Sequence, residues 1–92
     1  MGWQLNGLVL LHWRRWDVQW VAFDVGSGQT YQMDTLSAVI LLLLENSPAD
    51  TQELATLAAE ELQIAESSEY LTSLNDTLGR LETSGLIETT SQ

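Results

Sequence analysis

The side chains able to do chemistry are few and scattered. His12 is the single histidine and there is no cysteine, so neither a thiolate nucleophile nor a His/Cys metal site can be assembled. A catalytic triad needs a nucleophile, a base and a group that orients the base, and only carboxylates and hydroxyls are plentiful here. Glu60 and Glu61 are adjacent carboxylates, the residue type of acid–base chemistry. Neighbouring helix positions do not face each other, so a solvated surface is the expectation for this pair. Gly26-Ser27-Gly28 is not followed by a helix, and a phosphate-cradling loop needs one. These patterns argue against an enzyme and call for no metal and no cofactor. Binding is what remains.

The stretch most suited to binding runs from Gln19 to Asp34. Val21, Phe23 and Val25 before the glycines, and Tyr31 and Met33 after them, recur at every second position, the period of half-buried strands. A three-residue loop over 26–28, closed by a left-handed Gly28, predicts Val25 opposite Gln29, Phe23 opposite Tyr31 and Val21 opposite Met33, with all the large apolar residues on one face. An earlier strand over about residues 9–15, returning through Asp17-Val18, would set Leu11 against Phe23 and Trp13 against Val21, and would stack Arg14 on Trp20. Strands over about 9–15, 19–25 and 29–33 then form a meander whose third member is an edge. Edges with unpaired N–H and C=O groups template strand addition, and proteins blunt them with lysine or proline; neither occurs between Gln29 and Asp34. Two readings of this edge stand: another chain's backbone pairs with it, or the domain's own tail or a second subunit covers it.

Three helices are expected to support the sheet, over about 35–46, 51–63 and 68–84. Asp34 is placed to cap the first, whose Leu36 to Glu45 run is apolar on nearly every face; burial is one reading, dimerisation through a surplus leucine such as Leu41 or Leu42 the other. Asp50-Thr-Gln-Glu53 has capping-box spacing, and Leu54, Leu57, Ala58 and Leu62 form the inward stripe of the second helix. Leu71, Leu74, Leu78 and Leu81 form that of the third. Gly85 sits where a left-handed cap is wanted, Leu86-Ile87 folds back as a short strand, and Thr89 to Gln92 is a frayed tail. Gly79, inside the third helix, either is simply tolerated or marks a close backbone or ligand approach. The fold class is α+β, one sheet face packing on a helical layer.

Ninety-two residues make one domain. Thirteen acidic residues against three arginines and no lysine leave a formal net charge of -10, which repels phosphate backbones and anionic lipids. No nucleic acid and no membrane are therefore expected as partners, and a cytoplasmic location is the default. A helix-turn-helix from the second and third helices would offer DNA Glu69, Asp76 and Glu82 against Arg80 alone, the wrong sign for that groove.

The order of Trp13-Arg-Arg-Trp-Asp17, Val21-Ala-Phe-Asp24, Ser27-Gly-Gln-Thr30, Met33-Asp-Thr-Leu-Ser-Ala-Val-Ile-Leu-Leu-Leu44 and Tyr70-Leu to Leu81-Glu-Thr-Ser-Gly-Leu-Ile87 resembles the PqqD-like peptide chaperones, in particular the HPr-rel-A system PqqD family. Val18 departs from the pattern, which has Gly or a polar turn residue there. The resemblance covers most of the chain and implies a winged-helix-like domain of the kind called a RiPP recognition element. It also implies that the leader of a ribosomally made precursor peptide binds as an added strand along Gln29, Thr30, Tyr31, Gln32 and Met33, with a flanking wall from Tyr70, Ser73, Leu74 and Thr77. The partners so implied are that peptide and a peptide-modifying enzyme, with an HPr-kinase-related protein as a candidate for the latter. The acidic surface adds the expectation of Lys or Arg in the leader outside its strand-forming part.

Overall fold

A computed structural model describes residues 2–16 and 19–90. Its elements are β1 (Trp3–Leu5), β2 (Leu11–Trp16), β3 (Gln19–Asp24), β4 (Thr30–Met33), α1 (Thr35–Asn46), α2 (Thr51–Leu62), α3 (Ser68–Thr83) and β5 (Ile87–Thr89). Strands β2, β3 and β4 form an antiparallel meander in that order, and β1 pairs with β5 in a separate two-stranded sheet. The α+β class, the meander and the three helices agree with the expectation; β1 was not anticipated.

Each helix begins where a side chain can satisfy its first amides. The Asp34 carboxylate accepts from Ser37 N–H at 2.9 Å, and Ser67 Oγ accepts from Tyr70 N–H at 3.1 Å. Asp50 and Glu53 form the reciprocal capping box, Glu53 N–H donating to Asp50 at 2.8 Å and Asp50 N–H to Glu53 at 3.3 Å. Helix α3 stops in a Schellman arrangement: Gly85 adopts φ +83°, its N–H donates to Glu82 C=O, and Leu86 N–H donates to Leu81 C=O. Leu86, 1% exposed, is thereby driven into the core. The chain then enters β5, where Thr89 lies opposite Trp3 and Thr90 N–H donates to Gly2 C=O at 2.8 Å. Thr89 and Thr90 are therefore paired, not frayed; Ser91 and Gln92 lie outside the described residues.

Both hairpins differ by one residue from the expected register. Trp20 opposes Met33, Ala22 opposes Tyr31 and Phe23 opposes Thr30; in the first pair Leu11 opposes Asp24, Trp13 opposes Ala22 and Arg15 opposes Trp20. A slip of one residue exchanges the two faces. Ala22, fully buried, joins Leu11, Ile40, Leu41 and Leu44 in the core, while Phe23 and Val25 turn outward. The cation stacked on Trp20 is accordingly Arg15, 5.4 Å from the ring centroid, and not Arg14; Trp13 meets Trp20 edge to face at 6.0 Å. The turn at Asp17-Val18 lies outside the described residues.

Asp24 explains the slip. Its N–H donates to Gln29 C=O at 2.8 Å, so the loop holds four residues, Val25 to Gly28, with Gly28 at φ +77°. Its carboxylate, turned away from solvent, accepts from Leu10 N–H, Gly26 N–H and Ser27 O–H. The Ser27 bond, with help from the two amides, outweighs desolvation and holds the Asp24 carboxyl below the usual range. A depressed folded-state pKa adds stability above the unfolded pKa of about 4, which is lost as pH falls through the folded value. Urea unfolding of Asp24→Asn is therefore expected to show a lower midpoint than the parent at about pH 7, and a gap that narrows by about pH 3. A constant gap across that interval would mean that the charge is not what Asp24 contributes.

The helical layer also deviates from the simple leucine stripes. Leu41 is fully buried, which removes it as a dimerisation residue, whereas Leu42 is half-buried. On α2 the inward residues are Leu54, Ala55, Ala58 and Ala59, with Leu57 42% exposed; on α3 they are Tyr70, Leu74, Thr77, Leu78 and Leu81, with Leu71 38% exposed. Small alanines on α2 let it lie close to its neighbours, which rotates the bulkier Leu57 outward.

Candidate peptide-binding groove

The main-chain ladder determines which groups β4 leaves free. Val25 N–H donates to Leu10 C=O at 2.9 Å and Asp24 N–H to Gln29 C=O at 2.8 Å. Since hydrogen-bonded pairs alternate in antiparallel strands, the odd residues of β3 serve β2 and the even ones serve β4. Tyr31 and Met33, opposite Ala22 and Trp20, thus use their main-chain groups on β3. The N–H and C=O of Thr30 and Gln32 point out of the sheet. Among the described residues no strand pairs with β4 on that side, because the segment after Gly85 pairs with β1 instead.

Beside this edge runs a groove between β4 and α3. A cleft of about 590 Å³ is lined by Tyr31, Gln32 and Met33 of β4, by Asp34, Thr35 and Ser37 at the start of α1, and by Arg80, Leu81 and Ser84. A second recess of about 550 Å³ shares Asp34 and Arg80 with the first and adds Ser73, Asp76 and Thr77. Arg80 also borders a third, with Gly79 and Thr83. The α3 residues recur three or four apart because one helix face forms the wall.

Five of the nine residues expected at the site line the groove: Tyr31, Gln32, Met33, Ser73 and Thr77. Thr30 is exposed along the same edge, and Gln29 closes the hairpin, where its Oε1 accepts from Tyr31 O–H at 2.7 Å. Tyr70 and Leu74 lie in the core. Tyr70 O–H donates to Ala55 C=O at 2.6 Å, and burial, reinforced by the charge of Glu66, pushes its phenol pKa up. Asp34 and Arg80 were not anticipated as lining residues, although Arg80 falls seven positions after Ser73 on the same helical face and that spacing was available.

The electrostatics of the groove centre on Asp34 and Arg80. Burial raises the Asp34 carboxyl, but hydrogen bonds from Ser37 and the charge of Arg80 outweigh it and hold the group below the usual carboxylate range. Arg80 itself donates to Thr77 Oγ1 at 3.2 Å. With Asp76 alongside, the groove carries two carboxylates to one guanidinium.

Gly79 shows no close neighbour: a Cβ built there meets nothing within 4 Å. Gly79→Ala is therefore expected to stabilise the free protein by about 1 kcal/mol through the helix-propensity gain, measured by denaturant unfolding. No gain would show that α3 needs glycine at this point for a reason internal to the fold.

No family model matches the chain, and no curated protein matches it. Among solved structures the chain is similar to TbiB1 in complex with the TbiA(beta) leader peptide, with a TM-score of 0.69 and 19% sequence identity over 97% of this chain and 99% of that one. The two share a fold across essentially their whole lengths.

Proposed function

We propose that this protein binds the leader segment of a ribosomally made precursor peptide as an added strand on β4, with alternate side chains directed into the groove against α3, and presents it to a modifying enzyme without doing chemistry itself. The observation that carries this reading is the free edge at Thr30 and Gln32, running beside a groove lined by β4 and α3. Strand addition supplies sequence-tolerant affinity through main-chain bonds, and the groove supplies selection through every second side chain. A fold shared with a protein solved with a leader peptide supports the same reading, as does the resemblance to the PqqD-like chaperones of the HPr-rel-A system. An HPr-kinase-related protein is the corresponding candidate for the enzyme.

In this arrangement Met33, Ser73 and Arg80 meet the peptide, while Tyr70, Leu74 and the buried Thr77 act from beneath by holding α3 in place. Titration of 15N-labelled protein with the leader of the precursor encoded nearest to it is expected to shift the amides of Thr30 and Gln32 most, followed by those of Ser73 to Arg80. Shifts confined to other surfaces would refute the site. The two-to-one excess of carboxylates in the groove, on a chain of net charge -10, favours a leader with Lys or Arg outside its strand-forming part. Affinity is then expected to fall as salt is added; affinity indifferent to salt would remove that element of the recognition.

A further inference from the structure

We propose that the outer face of the three-stranded sheet is a docking surface for a partner protein whose contacting patch combines apolar side chains with carboxylates. The register sets up this face. With Leu11, Trp13 and Ala22 packed on or in the core, alternation turns Leu10, His12 and Arg14 to the other side, together with Val21, Phe23 and Val25 of the next strand. Among the described residues no helix or strand covers them: Leu10 is 61%, Phe23 42% and Val25 48% exposed. Leu8, 88% exposed, adjoins the same end through its carbonyl beside Gly26. A single exposed apolar residue needs no explanation, but a contiguous set on one face marks an interaction surface.

Charge identifies the occupant. The chain carries 13 acidic residues and three arginines, yet no described position on this face is Asp or Glu, and Arg14 stands on it. The acidic residue nearest in sequence, Asp24, points the opposite way and is bound within its loop. Exposed carboxylates collect instead on α2 and α3, at Glu53, Glu60, Glu61, Glu69, Asp76 and Glu82. A partner with carboxylates around an apolar centre meets exposed acids on the helical side and Arg14 on this one, so charge orients the contact. A symmetric contact with a second copy would instead set Arg14 against the same face of that copy, where none of the described residues is a carboxylate. The face borders β4, so a peptide paired to that edge would extend it by one strand and lie under the same partner; this last consequence alone rests on the reading given under Proposed function.

The test uses the full chain with Arg14→Glu and, separately, Phe23→Glu, both at exposed positions and checked for native fold by circular dichroism. Leu57→Glu, the same kind of change at an equally exposed apolar residue on α2 and off this face, is the control. Proteins from an extract of the source organism that are retained by the immobilised parent but not by Arg14→Glu are identified, purified and titrated calorimetrically. The expected result is a purified protein that binds the parent and Leu57→Glu alike without peptide. It binds each face variant at least tenfold more weakly, loses affinity with salt, and regains binding to Arg14→Glu when its contacting carboxylate is replaced by lysine. The proposal is overturned if no protein discriminates, if the purified protein binds all variants equally, or if sedimentation shows the parent dimerising through this face and Phe23→Glu as a monomer. Because the titration contains no peptide, its outcome is independent of whether the groove binds a leader.

Discussion

Replacing Gln32 with proline is expected to weaken leader-peptide binding by tenfold or more while leaving the free protein almost as stable as before. The main-chain N–H of Gln32 points away from β3, because Tyr31 and Met33 are the residues opposite the bonding positions of that strand. Proline is tolerated on an edge strand when its missing N–H faced solvent, so the meander survives. A peptide aligned on β4 would find one carbonyl without a donor and a ring in its path. The unmet carbonyl alone costs roughly 1–3 kcal/mol, and about 1.4 kcal/mol corresponds to a tenfold change. Met33→Pro supplies the contrast: it removes a bond to β3 and should lower stability by roughly 1–3 kcal/mol. Calorimetric titration and urea unfolding of the two variants separate edge from ladder. Unchanged peptide affinity in Gln32→Pro would rule out strand addition on β4.

The second large effect belongs to Leu74, which the PqqD-like resemblance implies as part of the peptide wall and which the fold places fully inside the core. Leu74→Ala is expected to cost about 2–5 kcal/mol, the range for deleting a buried leucine and leaving a cavity. In a domain whose total stability is of order 5–15 kcal/mol, that is a large fraction. The folded population should still bind the leader within a few-fold of the parent, because the exposed groove wall is made by Ser73, Asp76 and Arg80, which remain. Denaturant unfolding without peptide, followed by titration at low temperature where the variant is folded, checks both halves. A stable variant with lost binding would mean that α3 moves and exposes Leu74 to the peptide.

These two residues show how differently the site could be read from the chain. That Thr30 and Gln32 lie on a sheet edge was legible, because edge position follows from strand order, and strand order from the short connections. Leu74 and Tyr70 were misplaced by one step around a helix: they neighbour Ser73 and Leu71 in sequence, but about 100° of rotation separates wall from core. Arg80 was legible in principle from its spacing to Ser73 and Thr77, yet only the packing of α3 against the start of α1 shows that this face borders β4.

The starts of all three helices and the end of the third are written locally in the chain. Asp34, Asp50 and Ser67 bond amides three residues away, and Gly85 turns the chain at its own φ, so each signal is complete within one turn. Which face of the sheet is inside follows instead from packing between distant elements. Two interleaved apolar sets compete there, Val21, Phe23 and Val25 against Trp20, Ala22 and the strand partners Trp13 and Tyr31. A one-residue slip exchanges them at little local cost. What selects the second set is remote from both strands: Ala22 packs in one cluster with the leucines of α1, and Asp24 must reach the amide of Leu10, fourteen residues earlier. The partner of the tail was likewise decided at a distance, since β1, whose Gln4 pairs with Glu88 across 84 positions, takes β5 and leaves β4 open.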